Sequence, residues 1–198
     1  MSASSKEEIT LYVFPLPEVV FFPTSSLPLN IFEPRYLQMV EDSERTKNQI
    51  AVAFTDPLDE FNLEDLNLVV GYGEPNVAVR REDGSRVILL QGRGKARLRR
   101  VLQKEPYLIC LADVVEEVAD VTPSNRFALN RYKGMVFKWL ESNIQDEKQR
   151  SVIVGNLRST QALLECFAMS LIRDADIRQT FLELNSSDER VLFLNGIY

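Results

Sequence analysis

Four basic side chains alternate along one stretch of the chain, and they are the first candidates for chemistry. They are Arg93, Lys95, Arg97 and Arg99. Residues two apart on a β-strand lie on one face, so these charges would line up and repel one another. Such a stripe could follow a phosphate backbone or bind an acidic partner. Alternatively, acids that follow in the sequence neutralise it, namely Asp113, Glu116 and Glu117.

A second candidate is the segment Phe32-Glu33-Pro34-Arg35-Tyr36. As a binding rim, it would grip a peptide through an aromatic ring and an ion pair. As architecture, Pro34 would begin a helix, because its fixed φ and missing N–H suit the first helical position. Glu33 would then face the positive end of the helix dipole, and both aromatic rings would close over a barrel. Special backbone positions usually serve the fold, so the sequence favours architecture.

No combination of side chains predicts a catalytic or metal site. The sequence has no histidine, which excludes Ser-His and Cys-His catalysis and the commonest zinc ligand. Cys110 and Cys166 lie in apolar runs, which predicts two buried thiols. The acids Glu60, Glu64 and Asp65 lie in a turn-prone acidic stretch, which predicts a solvated surface. We therefore expect no catalytic residue, no metal and no cofactor.

Length and charge limit the class of protein. A chain of 198 residues with 45% hydrophobic content can form one domain, or two small units that share a core. The net charge of -6 works against non-specific binding to nucleic acid or anionic membranes, and it favours neutralisation of the basic residues. The longest apolar stretch, residues 11–22, is interrupted by Pro15, Pro17 and Glu18. We expect no membrane span and a cytoplasmic protein.

The first half of the chain has the period of β-strands. The predicted strands cover residues 11–14, 19–22, 50–54, 68–73, 77–81, 86–90, 93–99 and 107–115. A helix is predicted from Pro34 to about Arg45. Asp83-Gly84 indicates a two-residue hairpin, since a type I′ turn needs φ > 0 at both central positions. These short strands are enough for a small closed or half-closed barrel.

The second half of the chain changes to helical spacing. Four helix starts are predicted, at Thr122-Pro123, at Thr160, at Asp174 and at a capping box formed by Ser186 and Glu189. Gly196 is a candidate for the residue that follows the last helix. These patterns predict an α+β fold with a β subdomain over residues 10–119. A helical subdomain over residues 120–198 is expected to pack on it.

Several segments resemble one known family. They are Leu27-Pro28-Leu29-Asn30-Ile31-Phe32-Glu33-Pro34-Arg35-Tyr36, Val70-Gly71, Asp83-Gly84-Ser85-Arg86 with Ile88-Leu89-Leu90-Gln91-Gly92-Arg93, and Pro106-Tyr107-Leu108 with Ala112-Asp113-Val114. The closing helices are similar too, through Gln179, Leu182-Glu183 and Glu189-Arg190-Val191-Leu192. Together they resemble the N-terminal domain of Lon proteases, the PUA-like substrate-binding module of that family. The resemblance implies a PUA-like β-pseudobarrel followed by a helical bundle.

Lon proteases carry an ATPase and a peptidase after this module, and neither is expected here. A Walker A loop needs the spacing G-x-x-x-x-G-K-[ST], whose backbone amides hold phosphates. The nearest fragment, Gly92-Arg93-Gly94-Lys95-Ala96, has the wrong spacing and no hydroxyl after the lysine. The chain also lacks room for a Ser-Lys peptidase domain. We therefore expect a standalone binding module that does no chemistry.

The sequence-based hypothesis for function is binding of an unfolded or extended polypeptide, or of a partner protein. The candidate site residues are Phe32, Glu33, Arg35, Tyr36 and Tyr72. The surface would be a groove between barrel and helices, or a barrel face that includes residues 71–73. A barrel edge would accept an extended chain by β-augmentation. The alternative is a PUA-like module that binds nucleic acid through the basic strand from Arg93 to Arg99, which the acidic balance disfavours. No membrane partner is expected.

Overall fold

The computed structural model describes residues 7–55 and 68–198, and these form two compact units that divide after Val115. The first unit contains β1 (Glu8–Pro17), β2 (Ser26–Ile31), α1 (Pro34–Thr46), β3 (Gln49–Thr55), β4 (Val69–Arg80), β5 (Arg86–Gln103) and β6 (Leu108–Val115). The second contains a 3₁₀ turn (Pro123–Asn125), α2 (Arg126–Asn143), α3 (Glu147–Asn156), α4 (Thr160–Leu171), α5 (Ala175–Glu183) and α6 (Ser187–Ile197). The predicted α+β class is confirmed.

Five of the six strands in the described residues close a barrel. Its order is β5-β4-β3-β1-β6, and β6 pairs again with β5. Strand β1 runs parallel to β3, and the other pairs are antiparallel. The interior is filled by Leu11, Val13, Ala51, Ala53, Val70, Tyr72, Ala96, Leu98, Leu108, Cys110 and Ala112. The alanines among them suit the limited space inside a barrel of so few strands.

Strands β4 and β5 are long because they continue beyond the barrel. Residues 74–80 of β4 and 86–91 of β5 form, together with β2, a three-stranded sheet that we call the extension. The register between β4 and β5 shifts between Tyr72 and Gly73, where the strands leave the barrel. A β-bulge of this kind bends a strand and increases its twist. The same two strands therefore build both the barrel and the extension.

Helix α1 lies against the inner face of the extension. A second core joins it to the barrel strands, and its members include Tyr12, Phe14, Ile31, Tyr36, Met39, Val40, Ile50, Val52, Ile88, Leu90 and Tyr107. At the last turns of the helix, the Tyr107 hydroxyl donates a hydrogen bond of 2.7 Å to Asp42. That bond holds the pKa of the Asp42 carboxyl below its usual value, with help from Arg45. The helix is thus fixed by apolar burial and by a polar contact at its end.

Between β1 and β2 the chain crosses the barrel wall at two glycines. A Cβ placed on Gly71 would lie 1.8 Å from the carbonyl oxygen of Phe21, and one on Gly92 would lie 2.3 Å from that of Pro23. Only glycine permits backbone segments to approach this closely. Lys95 pairs with Gly71 in the register and is only 2% exposed, so it lies at the covered part of the wall.

Glycine and proline do not divide the strands as the sequence predicted. The predicted strands 68–73 and 77–81 are one strand, β4, and 86–90 and 93–99 are both parts of β5. Residues 19–22 are not a strand but belong to the crossing segment. Pro75 is tolerated within β4 because its backbone is directed away from β5, so its missing N–H removes no hydrogen bond between the two strands.

The predicted hairpin between β4 and β5 is confirmed, but its turn is longer than two residues. Arg80 pairs with Arg86, which leaves five residues between the strands. Gly84 has a φ of 83°, whereas Asp83 has no positive φ. The Asp83 carboxylate instead accepts bonds from the Ser85 N–H at 2.9 Å and the Ser85 hydroxyl at 2.6 Å. The prediction of a type I′ turn is therefore wrong.

In the second unit, two of the predicted helix starts are confirmed by their capping bonds. Asp174 accepts from the N–H of Ile177, and Ser186 and Glu189 form the capping box. Helix α4 is capped one residue earlier than predicted, by Ser159. Gly196 lies inside α6, so its prediction as the terminating residue is wrong.

Helix α3 was missed by the sequence, which predicted four helices rather than five. None of its residues is buried, so it carries no periodic apolar signal. The signal that could have found it is Asp146, whose side chain accepts from the N–H groups of Lys148 and Gln149. In the described ranges, 7–55 and 68–198, no helix is long and apolar enough to cross a membrane.

The chain becomes part of the second unit soon after Val115. The Arg190 guanidinium, fully buried, binds the Glu117 carboxylate at 2.8 Å and the Glu165 carboxylate at 3.4 Å. The N–H of Val118 donates to Asn185, and the carbonyl of Val118 accepts from Ser187. The assignment of subdomains to residues 10–119 and 120–198 stays a prediction, and these bonds support an earlier boundary.

We expect Gly71→Ala to lower the free energy of unfolding by about 1–3 kcal/mol or more, because the new methyl group forces the crossing segment away. Urea denaturation measures the change. Gly134→Ala on α2 is the matched control, since nothing lies within 4 Å of its Cβ position. There, alanine should raise stability by up to about 1 kcal/mol. Equal stability of Gly71→Ala and the wild type would contradict the tight crossing.

Candidate functional site

The segment 32–36 contains two aromatic residues with opposite environments. Tyr36 is 8% exposed, and its ring centroid lies 4.3 Å from that of Phe14. Burial raises the pKa of its hydroxyl. Phe32 is 66% exposed, so the expectation that both rings close over the barrel is wrong for Phe32. The reason is the strand alternation: Ile31 points into the core, and the next residue points away from it.

Pro34 begins α1 as predicted, and its charged neighbours pair with each other. Glu33 is the N-cap residue, but its side chain makes no capping bond. Its carboxylate instead accepts from the Arg35 guanidinium at 2.9 Å. The guanidinium also lies 4.6 Å from the centre of the Tyr36 ring. The segment therefore presents one exposed ring, Phe32, beside an exposed and neutral ion pair.

Tyr72 is a core residue of the barrel. It is buried, and burial raises the pKa of its hydroxyl. Its ring lies against Gly94, where an added Cβ would come within 2.6 Å of the Tyr72 hydroxyl oxygen. A side chain in this position cannot line a binding surface, so the expectation that it belongs to the site is corrected.

The outer face of the extension carries several apolar side chains beside two exposed asparagines, and the sequence did not single it out. Leu89 pairs with Pro28 on β2 and with Asn76 on β4, and Val87 pairs with Asn30 on β2 and with Val79 on β4. Directly paired residues share a face, with Cβ atoms about 4.5–5.5 Å apart in antiparallel sheets. Leu89 and Val79 are 40% and 48% exposed. The outward row of β2 continues from Pro28 through Asn30, and the next residue in that row is Phe32, just after the strand. We call Pro28, Phe32, Val79, Val87 and Leu89 the outer apolar face.

Polar contacts border this face. At one end, Arg93 binds Glu74 at 2.8 Å, which holds the pKa of the Glu74 carboxyl below its usual value. At the other end, the Arg81 guanidinium donates to the side-chain oxygen of Asn30 at 2.8 Å. The Glu33–Arg35 pair lies in the segment just after β2. The face thus combines apolar side chains with the polar Asn30 and Asn76, and the two ion pairs at its border are neutral.

The basic residues do not form one exposed stripe. Lys95 is buried, and Arg93 is held by Glu74 from the preceding strand. Arg99 lies at a register shift, and its Nε donates to Asp113 at 2.6 Å. The predicted neutralisation by Asp113 is therefore confirmed, and Arg97 lies opposite the same residue. Glu117 was predicted to join it and instead binds Arg190.

Other candidates from the sequence give no site. Both cysteines are buried free thiols, as predicted, and burial raises the pKa of Cys110 to about 11. The acids Glu60, Glu64 and Asp65 lie outside the described residues. Elsewhere in the chain, over residues 7–55 and 68–198, no group of three or more thiols and carboxylates is placed to hold a metal ion.

Comparison with known proteins places this geometry in a family. The model of the ATP-dependent protease La (LON) substrate-binding domain matches residues 10–197. The chain belongs to this family. A Lon protease of Parabacteroides distasonis is 26% identical over 185 residues, which are 91% of this chain and 22% of that protein. One of Flavobacterium johnsoniae is 20% identical over 188 residues, which are 93% of this chain and 23% of that protein. The chain thus spans about a quarter of the length of these relatives.

Solved structures of Lon N-terminal domains have the same fold. A Lon N-terminal domain protein from Xanthomonas campestris superposes with a TM-score of 0.66 at 21% identity, covering 94% of this chain and 97% of that one. The N-terminal domain of a Mycobacterium avium complex Lon protease gives 0.68 at 15% identity, covering 94% and 96%. The pseudobarrel and helical bundle expected for the Lon family are confirmed as the fold.

The two aromatic residues of the Lon-like segment should respond differently to truncation. We expect Tyr36→Ala to lower the free energy of unfolding by about 3–5 kcal/mol, because it leaves a cavity against Phe14. Phe32→Ala should change it by less than about 0.5 kcal/mol, since the ring is mostly in water. Chemical denaturation of both variants measures this. A large loss of stability in Phe32→Ala would show that the ring is part of the core.

Because the basic residues are buried or paired, we expect only weak binding of nucleic acid. Affinity for single-stranded RNA and duplex DNA should not exceed the ~10⁻⁴–10⁻⁶ M range of non-specific contacts at physiological salt. A gel shift measures this. The expectation fails if a sub-micromolar complex forms that Arg97→Glu with Arg99→Glu abolishes and Lys133→Glu with Lys138→Glu, a charge-matched pair on α2, leaves intact.

Proposed function

We propose that this chain is a polypeptide-binding module whose outer apolar face takes the apolar side chains of unfolded or extended protein segments. The observation that carries the proposal is the face itself. Its members lie on three strands of one sheet and at the end of β2, and all but the partly buried Val87 are exposed although the chain has a full core. Clustered exposed apolar side chains of this kind mark interaction surfaces, whereas single ones need no explanation.

Membership of the Lon substrate-binding family supports a polypeptide as the ligand. The family description names a substrate-binding domain of a protease, and the substrates of a protease are polypeptides. The rim supports the same ligand, because the Glu74–Arg93 and Glu33–Arg35 pairs are each neutral. A surface with such a rim does not select a strongly charged partner. An unfolded chain of mixed sequence fits these conditions better than one specific charged protein.

Each predicted site residue of the segment 32–36 other than Pro34 has a defined role in this proposal. Phe32 supplies the largest exposed apolar surface. Glu33 and Arg35 supply a polar border, and as an exposed ion pair they contribute little to stability. Tyr36 does not contact the ligand, but its burial against Phe14 fixes the start of α1 and so the direction of Phe32.

We also propose that the chain binds without catalysis and without a cofactor. The family model that matches residues 10–197 is that of the binding domain alone. No histidine is present to act as a general base, and the Cys110 and Cys166 thiols are buried with raised pKa values. Arg93, Lys95, Arg97 and Arg99 do not form an exposed, unpaired row, so they do not favour binding of nucleic acid.

Leu89→Ser should weaken binding of a permanently unfolded protein, such as reduced and carboxymethylated α-lactalbumin, by about tenfold, which corresponds to ~1.4 kcal/mol. Fluorescence anisotropy measures the affinity. The matched control is Leu102→Ser, a change of the same residue type on the same strand. Leu102 is 47% exposed and lies in the part of β5 that belongs to the barrel.

Leu102→Ser should leave the affinity unchanged, and the wild-type affinity should depend little on salt, because apolar contacts release few ions. Equal losses in both variants would mean that the effect is not specific to the face. No binding by the wild type at accessible concentrations would overturn the proposed function.

A further inference from the structure

The direction of the backbone groups in the extension follows from one hydrogen bond and the register. The N–H of Gly92 donates to the carbonyl of Ser25 at 2.9 Å, so the backbone N–H and C=O groups of Gly92 are directed toward β2. In an antiparallel sheet, alternate residues point to the same neighbour. The backbone groups of Leu90 and Ile88 are therefore directed toward β2, and those of Leu89 toward β4.

On β2, this places Pro28 on the edge that pairs with no other strand of residues 7–55 and 68–198. Leu27 and Leu29 pair with Leu90 and Ile88, so they direct their N–H and C=O groups to β5. Pro28, which lies between them, must point away from the sheet. Proline has no N–H, so the middle of this edge has no donor to offer another strand.

On β4, the same argument places Pro75 on the opposite free edge. Leu89 pairs with Asn76, so Asn76 bonds to β5, and its neighbours Pro75 and Val77 point outward. The pairing of β4 with β3 covers only residues 71–73, so within the described residues Pro75 begins the part of the edge that no strand covers. On this edge too, the first residue whose backbone is directed outward, Pro75, has no N–H to donate.

Both free edges of the extension are therefore poor templates for a further strand. A strand added to an antiparallel edge needs a donor at every second residue of that edge. Proline on an edge is one of the ways in which proteins prevent pairing with another chain. Pro28 thus interrupts the edge of β2, and Pro75 interrupts that of β4, while the apolar face between the edges is open.

We infer that the chain takes its polypeptide ligand on the outer apolar face through the ligand's side chains, and not by adding a strand to either edge. This inference rests on the proposed function and replaces the β-augmentation expected from the sequence. The ligand class is a segment of unfolded polypeptide with clustered apolar side chains. Its backbone N–H and C=O groups stay free to bond to water.

Backbone methylation of a peptide probe separates the two modes. The probe is a labelled peptide of about ten residues in which leucine alternates with serine. Two derivatives carry N-methyl groups, one on every leucine nitrogen and the other on every serine nitrogen. In an extended peptide, alternate N–H groups point to one side, so one derivative must lose edge pairing while the other keeps it. Fluorescence anisotropy with the intact chain measures all three affinities.

We expect both derivatives to bind within about threefold of the parent peptide, and Leu89→Ser to weaken all three by about tenfold. A second variant, Pro75→Ala, restores an outward N–H on β4 at a residue that is not part of the outer apolar face. Because the edge is not used, it should not raise the affinity.

The failures of the inference and of the proposed function are distinguishable. If the parent peptide binds, but one methylated derivative loses tenfold or more while the other does not, edge pairing occurs and the inference is overturned. An increase in affinity in Pro75→Ala would overturn it in the same way. If the parent peptide does not bind at all, the proposed function is overturned, and the inference falls with it.

Discussion

The structure of the first unit depends on the close crossing of residues 21–23 over the barrel wall. Strand β1 lies in the barrel and β2 at the edge of the extension, so the chain must pass over the wall to connect them. Gly71 and Gly92 allow this passage at backbone contact. The crossing occurs near the bulge where β4 and β5 bend out of the barrel. Without it, β2 could not reach residues 86–91 of β5, and the outer apolar face would lose Pro28 and Phe32.

In the second unit, a buried guanidinium has a comparable role at the start of the unit. Arg190 has no exposed surface, and burying a charge is costly unless it is paired. Its partners are Glu117, which has just left the barrel segment in sequence, and Glu165 on α4. Removing one partner of such a group leaves an uncompensated buried charge, which costs more than the pair contributes. The segment that begins at residue 117 is thus bound to α6, and this explains why the two units divide so soon after β6.

The sequence predicted what depends on local chemistry and missed what depends on distant contacts. Asp174 and the Ser186–Glu189 box mark helix starts through bonds within four residues, and Pro34 marks one through its fixed φ. All three predictions hold. Lys95 was predicted to be exposed by alternation alone, but a segment more than seventy residues earlier covers that part of the wall. The alternation along β4 is compatible with a Tyr72 side chain on either face of the sheet. Only closure of the barrel decides that it points inward.

The candidate site was missed for a related reason. Phe32 could be named from the sequence because it adjoins a recognisable motif, whereas Leu89 and Val79 are ordinary strand residues. They become a surface only when β2 pairs with β5 and the register brings Pro28 beside Leu89. Strand pairing is a long-range property, and alternation does not show which face will remain uncovered.

Pro28 combines two properties that an open binding sheet requires. Its ring adds apolar surface to the outer face, and its missing N–H prevents the edge of β2 from pairing with other chains. A sheet that is apolar on an exposed face and complete at its edges would invite edge-to-edge association of its own copies. With proline at both edges, the same surface can meet the side chains of an unfolded segment while offering no template for a continuous ladder. The physical cost is small, because a proline at an outward edge position forfeits no hydrogen bond within the sheet.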